Sequence, residues 1–252
     1  MMFDLHGRVA VVTGASSGLG RQFALALAGQ GADIVLLARR MEKLEAVAQE
    51  VRAKGVKCLP VKCDVCELDD IKAAVKATID EFGKVDILVN NAGGGPFYPI
   101  TETPDDFWQH GLDLELTGVF RCIREFGKEM IKAGYGRIIN NASLFGRIGT
   151  GEIAISNYCA VKGGVVNLTR EVACELCKHG ITCNCVCPGF FPSESNSPEA
   201  MEMLGPWINS RVPMGRAGVD GELDSTIIYL AADESSYVNG AIVSCDGGWT
   251  CC

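Results

Sequence analysis

A tyrosine and a lysine in the second half of the chain have the spacing of an acid/base pair on a helix. Tyr158 and Lys162 are four positions apart, so on an α-helix their side chains share one face. The pKa of a phenol is ~10, which is too high for proton exchange at neutral pH. A neighbouring ammonium group favours the phenolate and lowers the pKa of the phenol. The pair therefore predicts a group that exchanges a proton with a substrate.

A glycine-rich turn near the N-terminus has the form of a nucleotide-binding loop. The turn is Thr13-Gly14-Ala15-Ser16-Ser17-Gly18-Leu19-Gly20. It lies between a β-branched run at 8–13 and an Ala/Leu-rich stretch at 21–28. Glycine lets the backbone approach a pyrophosphate, and the unpaired N–H groups of a helix N-terminus face it. The position of this turn between a strand and a helix predicts a dinucleotide site.

The residues at the end of the second strand-like run indicate which dinucleotide the site binds. Many dinucleotide folds place an acidic residue there, where it binds the adenosine ribose hydroxyls. This chain has Ala38 at that position, followed by Arg39 and Arg40. A guanidinium group binds a 2′-phosphate, which an acidic side chain would repel. We therefore favour NADP(H) over NAD(H), the alternative being that both arginines are solvated charges at a helix start.

Strand-like runs alternate with helical periodicity along the chain. Helical spacing occurs at 42–53, 71–82, 156–178 and 222–232, and the strand-like runs are 8–13, 33–38, 56–63, 86–90, 137–141, 181–187 and 241–245. Strands that are covered by helices on both faces give such continuous apolar runs. We predict an α/β fold of the Rossmann type, with one doubly wound, parallel, seven-stranded sheet, helices on both of its faces and a single domain over 1–252.

Composition excludes several classes of function. The net charge of −8 and the pI near 5.0 argue against a nucleic-acid-binding protein. No run approaches the ~18 apolar residues of a membrane span. Residues 1–6 lack the basic and apolar regions of a signal peptide. We expect a cytoplasmic protein with a small-molecule substrate and no nucleic-acid or membrane partner.

The 13 cysteines of this chain are interpreted as reduced thiols, because the chain is long and has an apolar core of its own. Those at 183, 185 and 187 alternate along a strand-like run, where cysteine replaces a small apolar residue. The pairs at 63/66 and 174/177 have the spacing of metal ligands. A zinc site needs four ligands, and His179 is the only histidine near either pair. We therefore expect no metal.

Considered together, the motifs resemble those of the short-chain dehydrogenase/reductase family over essentially the whole chain. Besides the glycine turn and the Tyr158/Lys162 pair, they are Ser143, Asn90-Asn91-Ala92-Gly93, Pro188-Gly189 and Asp246-Gly247-Gly248. The chain is most similar in character to gluconate 5-dehydrogenase-like, 3-oxoacyl reductase-like and hydroxysteroid dehydrogenase-like members. The resemblance implies an enzyme that transfers a hydride between a nicotinamide cofactor and a secondary alcohol or ketone.

The resemblance also implies roles for individual residues. Tyr158 would exchange a proton with the substrate oxygen, Lys162 would hold the nicotinamide ribose and lower the pKa of the phenol, and Ser143 would hydrogen-bond the substrate oxygen. Together with the two arginines, the expected cofactor-binding residues are Gly14, Ser16, Ser17, Gly18, Leu19, Gly20, Arg39, Arg40, Asp64, Val65, Asn91, Ala92, Gly93, Tyr158, Lys162, Pro188, Gly189 and Ser193.

The chain departs from the family pattern at two places. Where the family has Asn-Leu-x-Gly, this chain has Glu115-Leu116-Thr117-Gly118. The family asparagine helps hold a water chain that runs to the lysine. Glu115 could pair with Lys162, relay protons itself or weaken catalysis, and we favour a tolerated replacement with a usable relay. The second departure is a loop at 147–153, about two residues longer than usual, which we expect to shape substrate choice.

Bulky apolar side chains in the loops after the strands suggest the substrate. A lid is predicted around 190–210, and the candidate substrate contacts are Phe97, Phe145, Ile153, Phe190, Met201 and Trp207. Such a lining suits a hydrophobic ketone or alcohol, for example a hydroxysteroid.

Three alternatives remain open. A sugar acid would need a cationic anchor, for which Arg147 or Arg211 could serve. A 3-oxoacyl reductase would need a basic patch for its carrier protein, and Gly134 occupies a position where we expect a basic residue. A weakly catalytic, nucleotide-binding scaffold is the third alternative, because Glu115 replaces the family asparagine.

On resemblance alone we expect a homotetramer through the helices at 118–130 and 156–178.

Overall fold

Seven apolar segments form one parallel sheet in the computed structural model, which describes residues 2–95, 97–193 and 198–251. The strands lie in the order β3-β2-β1-β4-β5-β6-β7. Their bounds are β1 Val9–Thr13, β2 Asp33–Ala38, β3 Cys58–Lys62, β4 Ile87–Asn90, β5 Gly136–Asn141, β6 Ile181–Pro188 and β7 Ile242–Cys245. The strand order reverses between β1 and β4, and ligands of doubly wound sheets bind at such a reversal. The predicted fold class is confirmed.

Helices cover both faces of the sheet. Their bounds are α1 Gly18–Gly29, α2 Met41–Arg52, α3 Leu68–Phe82, α4 Asp105–Leu112, α5 Gly118–Ala133, α6 Ser156–Leu176, α7 Pro198–Arg211 and α8 Asp224–Ala231. Ala10 and Val12 of β1 point into an apolar core shared with α1, α2 and α8. Val9 and Val11 point into a second core shared with α3, α5 and α6, because successive strand residues face opposite sides.

Two helices were not predicted from the sequence. The short α4 follows Pro104 and begins with Asp105 and Asp106, and a π-helical turn, Asp113–Thr117, joins it to α5. The second is α7, which lies in the segment predicted as a lid. Residues 194–197 of that segment lie outside the described residues. Within the described ranges, no helix combines the length and the apolar character needed to cross a bilayer.

The described cysteines carry free thiols. Cys183, Cys185 and Cys187 of β6 are fully buried in the core. This burial agrees with the interpretation that they replace small apolar residues. Among the residues that the structure describes, no three His, Cys, Asp or Glu side chains come together in a way that could hold a metal ion.

Candidate active site

A cleft of about 640 Å³ opens along the carboxyl ends of the strands, where the strand order reverses. All but one of the residues predicted to bind a cofactor line this cleft. The exception is Gly20, which lies behind the turn, where an added Cβ would come within 2.4 Å of the carbonyl oxygen of Gly14. The lining residues from the predicted set are Gly14, Ser16, Ser17, Gly18, Leu19, Arg39, Arg40, Asp64, Val65, Asn91, Ala92, Gly93, Tyr158, Lys162, Pro188, Gly189 and Ser193.

The glycine turn is held tightly against the end of β4. Gly14 has a φ of +64°, and a Cβ there would lie 2.8 Å from the Cα of Ala92. Thr13 Oγ1 accepts hydrogen bonds from the backbone N–H groups of Asn91, at 2.9 Å, and Ala92, at 3.0 Å. The first turn of α1 has no acidic side chain, and Ser17 makes no side-chain cap. The positive end of α1 is therefore available to a phosphate, and these residues fit a dinucleotide.

Two arginines line the cleft beyond the end of β2. The Nη2 atom of Arg40 donates to the hydroxyl oxygens of Ser16 and Ser17, at 3.0 Å each. The Nη1 atom of Arg39 lies 3.9 Å from a carboxylate oxygen of Asp64. Because β2 ends at Ala38, no acidic side chain projects from its last residue. This part of the cleft is therefore suited to an anionic group.

Tyr158, Lys162 and Ser143 line the same cleft. The first two lie on one face of α6, with the Lys162 Nζ atom 5.5 Å from the centre of the Tyr158 ring. Ser143 follows β5, and its Oγ accepts a hydrogen bond from the Phe145 N–H at 3.1 Å. Gly146 allows this turn to pack on α6, because a Cβ there would lie 2.7 Å from the Lys162 carbonyl oxygen. The three side chains are thus brought together by packing between α6 and the end of β5.

Glu115 forms a buried ion pair with Lys162. Its Oε2 lies 2.8 Å from the Lys162 Nζ, and each side chain is only 6% exposed. The Glu115 Oε1 accepts a hydrogen bond from the Gly94 N–H at 3.1 Å, and the Lys162 Nζ also donates to the Asn141 carbonyl oxygen at 3.1 Å. Burial lowers the pKa of Lys162, but the interactions of the ammonium group with Glu115 and Tyr158 outweigh that effect, so the pKa is raised overall. Lys162 therefore carries its positive charge at neutral pH.

The pKa of Tyr158 is raised, not lowered. Loss of solvent around the phenol is the largest cause, and Lys162 acts against it by lowering the pKa. The negative charge of Glu115 raises the pKa further, while a hydrogen bond with Ser143 lowers it. The lowering of the Tyr158 pKa by Lys162 that we predicted from their spacing is present, but burial and Glu115 outweigh it, so the net shift is opposite to the expected one. The spacing of Tyr158 and Lys162 predicts neither the burial of the phenol nor the position of the Glu115 carboxylate.

Four of the apolar side chains predicted as substrate contacts line the same cleft, namely Phe97, Phe145, Ile153 and Phe190. Met201 and Trp207 are not among the lining residues. Both pack in an aromatic cluster that attaches α7 to the body of the protein, where the Trp207 ring lies 5.1 Å from that of Trp249. The lid segment therefore contributes packing residues as well as cleft residues.

Neither of the arginines considered as anchors for a sugar acid lines the cleft. Arg147 donates hydrogen bonds to the hydroxyl groups of Ser244 and Thr250. Arg211 forms an ion pair with Glu152. The expectation that either side chain would hold a substrate carboxylate is not supported by this placement.

Several lining residues were not predicted. Asn141 and Ile155 line the main cleft, and the signal for Asn141 was its position at the end of a strand. Leu204 also lines the cleft, but its position could not be predicted without α7. His110 and Asn157 line a smaller cavity next to Tyr158. No motif pointed to either of these two residues.

A doubly wound sheet with a Ser, a Tyr and a Lys beside a dinucleotide cleft defines a dehydrogenase-type oxidoreductase. Residues 8–203 match the family model of the short chain dehydrogenases. The chain belongs to this family, as the motifs predicted. It is an enzyme of the short-chain dehydrogenase/reductase type, whose members bind NAD(P).

Three relatives illustrate the range of the family around this chain. It is 37% identical to 3-oxoacyl-(acyl-carrier-protein) reductase FabG of Staphylococcus aureus over 240 residues, 95% of this chain and 96% of the relative. It is also 37% identical to 2-dehydro-3-deoxy-D-gluconate 5-dehydrogenase of Pseudoalteromonas atlantica over 255 residues, 98% and 97% of the two chains. The crystal structure of a gluconate 5-dehydrogenase from Burkholderia cenocepacia, in complex with NADP and tartrate, superposes with a TM-score of 0.92 at 34% identity, covering 99% of this chain and 98% of that one.

Proposed function

We propose that the protein interconverts a ketone and a secondary alcohol with NADP(H), on a substrate with apolar groups around the reacting carbon. The observation that carries this proposal is the placement of Ser143, Tyr158 and Lys162 in one cleft whose substrate end is lined by Phe97, Phe145, Ile153 and Phe190. When bound, the nicotinamide supplies or accepts the hydride. The side chains of this protein manage the proton and the developing charge.

Tyr158 is the proton donor in reduction and the proton acceptor in oxidation. Its raised pKa keeps the phenol protonated at neutral pH, which suits donation to a carbonyl oxygen. Ser143 lies close enough to Tyr158 to influence its pKa by a hydrogen bond, so both hydroxyl groups can contact one substrate oxygen. Lys162 stabilises the phenolate that forms when the proton leaves.

The preference for NADP(H) rests on Arg40. Its guanidinium group is held over the glycine turn by the hydroxyl groups of Ser16 and Ser17, beside the position where the adenosine ribose lies in such folds. A 2′-phosphate would accept charge-assisted hydrogen bonds from this group. The similar Burkholderia cenocepacia structure was solved with NADP, which supports the proposal.

Replacing Arg40 by Gln should lower the preference for NADP+ over NAD+ by about 10- to 100-fold, since a hydrogen bond to a charged group contributes about 1.5–3 kcal/mol. The preference is measured as the ratio of the kcat/KM values for the two cofactors. Arg52→Gln is a suitable control, because Arg52 pairs with Glu45 on the surface and does not line the cleft. An unchanged ratio in Arg40→Gln would contradict the assignment.

The lining favours a hydrophobic ketone over a sugar acid. Arg147 and Arg211 are engaged elsewhere, so a substrate carboxylate would lack the cationic partner that we considered for it. A 3-oxoacyl thioester is the second candidate, because its acyl chain is apolar and the Staphylococcus aureus relative is a 3-oxoacyl-(acyl-carrier-protein) reductase. A steroid ketone is one member of the hydrophobic class, and its support is the apolar lining alone.

A panel of ketones tests the substrate class directly. The protein is incubated with NADPH and a cyclic apolar ketone, a steroid ketone, a 3-oxoacyl pantetheine thioester or a keto sugar acid, and the loss of NADPH absorbance is followed. We expect the highest kcat/KM with an apolar ketone or the thioester. Fastest turnover of the sugar acid would overturn the proposed substrate class. Tight NADPH binding without turnover of any ketone would instead indicate the scaffold function.

We also propose that the protein is a homotetramer that associates through α5 and α6. Phe120 and Ile131 of α5 are 45% and 39% exposed in the single chain. They are eleven positions apart and therefore lie on one face of α5, which makes this face the candidate for packing against another subunit. The proposal otherwise rests on the resemblance to the family.

A further inference from the structure

A second cavity, of about 150 Å³, lies beside Tyr158 between α4 and the start of α6. We call it the α4/α6 cavity. It shares with the main cleft the lining residues Gly94, Gly95, Phe97, Leu114, Glu115, Ile155 and Tyr158. Its other walls are formed by Tyr98, Phe107, His110, Gly111, Ala154, Asn157 and Val161. The two spaces therefore meet at Tyr158 and Glu115.

The α4/α6 cavity is lined mostly by apolar groups, with a few polar side chains at its inner end, along its wall and at the surface. Glu115 and Tyr158 line its inner end, next to the main cleft. Asn157 is only 8% exposed, and its Nδ2 donates to the Phe107 carbonyl oxygen at 3.3 Å. Its Oδ1 is buried and has no hydrogen-bond partner among the described residues. Tyr98 and His110, the other two polar residues of the wall, are exposed to solvent.

The backbone places Glu115 at this position by an irregular turn. Residues 113–117 form a π-helical turn between α4 and α5, and such turns occur often at functional sites because they redirect side chains. The Glu115 carboxylate then lies against Gly93, where an added Cβ would be 2.8 Å from its Oε2. Glu115 thus reaches Lys162 on one side and lines the α4/α6 cavity on the other.

A buried acceptor without a partner requires a donor, and water is the simplest one. The cavity has room for several water molecules, and a buried water needs two to four polar partners. Asn157 Oδ1, the Glu115 carboxylate, the Tyr158 hydroxyl and the His110 imidazole are such partners. We propose that water in the α4/α6 cavity carries protons between Tyr158 and the solvent, with Asn157 holding the water chain and His110 as its surface end.

The proton path depends on the proposed function, because Tyr158 must exchange a proton with the substrate in each turnover. In reduction, Tyr158 loses one proton to the product oxygen, and the phenolate takes one proton from the adjacent water. That water is reprotonated along the chain, and the last proton comes from His110, which takes one from the solvent. In oxidation each transfer runs in reverse. Glu115 is a positioning residue that orients the innermost water, and imidazole suits the surface end because it can both accept and donate a proton.

Two substitutions at different depths test the path. We expect His110→Ala to lower kcat about tenfold with little change in KM, and millimolar imidazole to restore it to within about twofold, because the lost group is at the surface. We expect Asn157→Leu to lower kcat to a similar extent without rescue by imidazole, because the interruption is internal. His179→Ala, in the short turn that follows α6, is the matched control and should keep the kcat of the unsubstituted protein with no dependence on imidazole.

The same variants are measured in D₂O, where both should show a larger solvent isotope effect on kcat than the unsubstituted protein. Unchanged NADPH affinity shows that each variant is folded. The inference is wrong if His110→Ala keeps full kcat, or if it raises the KM for the ketone without rescue by imidazole, which would make the cavity a substrate pocket. These results require an active parent protein, so failure of the inference is distinguishable from failure of the proposed function.

Discussion

Tyr158→Phe is expected to lower kcat/KM for ketone reduction by about 10²- to 10⁴-fold, the usual contribution of a positioned acid or base. The change removes only the hydroxyl group. It keeps the aromatic ring that packs edge-on against Phe97, with ring centres 5.8 Å apart. Since the loss concerns the transition state, kcat should fall and the dissociation constant of NADPH should stay within about twofold. Initial rates and fluorescence titration with NADPH measure the two quantities.

The matched control for this substitution is Tyr229→Phe. Tyr229 also packs edge-on against a phenylalanine, Phe3, with ring centres 6.1 Å apart. It lies on α8 and does not line the cleft. We expect this variant to keep the activity of the unsubstituted protein. If Tyr158→Phe retained its turnover as well, the proton would have to come from another group, and the proposed mechanism would fail.

Most of the cleft could be predicted from the sequence because its residues follow the strands directly. The carboxyl ends of parallel strands meet at one edge of the sheet. The glycine turn after β1, Asn91 after β4 and Ser143 after β5 therefore had to lie close together once the strands were assigned. The helical spacing of Tyr158 and Lys162 then placed both side chains toward that edge.

The parts that the sequence did not reveal depend on contacts between distant segments. Arg147 and Arg211 were candidate anchors until the structure showed their hydrogen-bond and ion-pair partners, which are up to about a hundred positions away. Trp207 was predicted as a substrate contact because the sequence did not reveal α7. It is this helix that brings Trp207 into contact with Trp249. Local spacing predicts which face of a helix a side chain occupies, but it does not predict the partner on another element.

The same limit explains the pKa of Tyr158. The sequence shows the lysine one turn away, which lowers the pKa, but it shows neither the burial of the phenol nor the position of the Glu115 carboxylate. Both raise the pKa, and they prevail. The ionisation of this group therefore depends on a residue 43 positions earlier in the chain, which makes Glu115 the most informative residue to change.

Glu115→Gln should move the pH dependence of the reaction to lower pH. Glutamine keeps the size of the side chain and an oxygen that can accept from the Gly94 N–H, but it removes the negative charge. Because that charge raises the pKa of Tyr158, its removal lowers the pKa. Oxidation requires the phenolate, so the acid limb of its kcat/KM profile should move to lower pH. Reduction requires the phenol, so its activity should also begin to fall at lower pH.

The profiles are recorded in both directions over the pH range where the protein stays folded. Glu129→Gln is the control, because Glu129 pairs with Lys132 at the surface and should shift neither profile. A shift to higher pH in Glu115→Gln would contradict the prediction. It would mean that Lys162 had lost its proton together with its partner, so that the ammonium no longer favours the phenolate.

The apolar variant Glu115→Leu separates the charge from the pairing. It leaves the Lys162 ammonium group buried, with the Asn141 carbonyl oxygen as its remaining hydrogen-bond acceptor among the described residues. Removing one partner of a buried ion pair costs about 3–5 kcal/mol of folding free energy, and chemical denaturation measures the difference. Glu115→Gln retains a polar partner for Lys162 and should lose less. If both variants were as stable as the unsubstituted protein, the ion pair would not hold Lys162 in its charged form, and the account of the Tyr158 proton would lose its electrostatic basis.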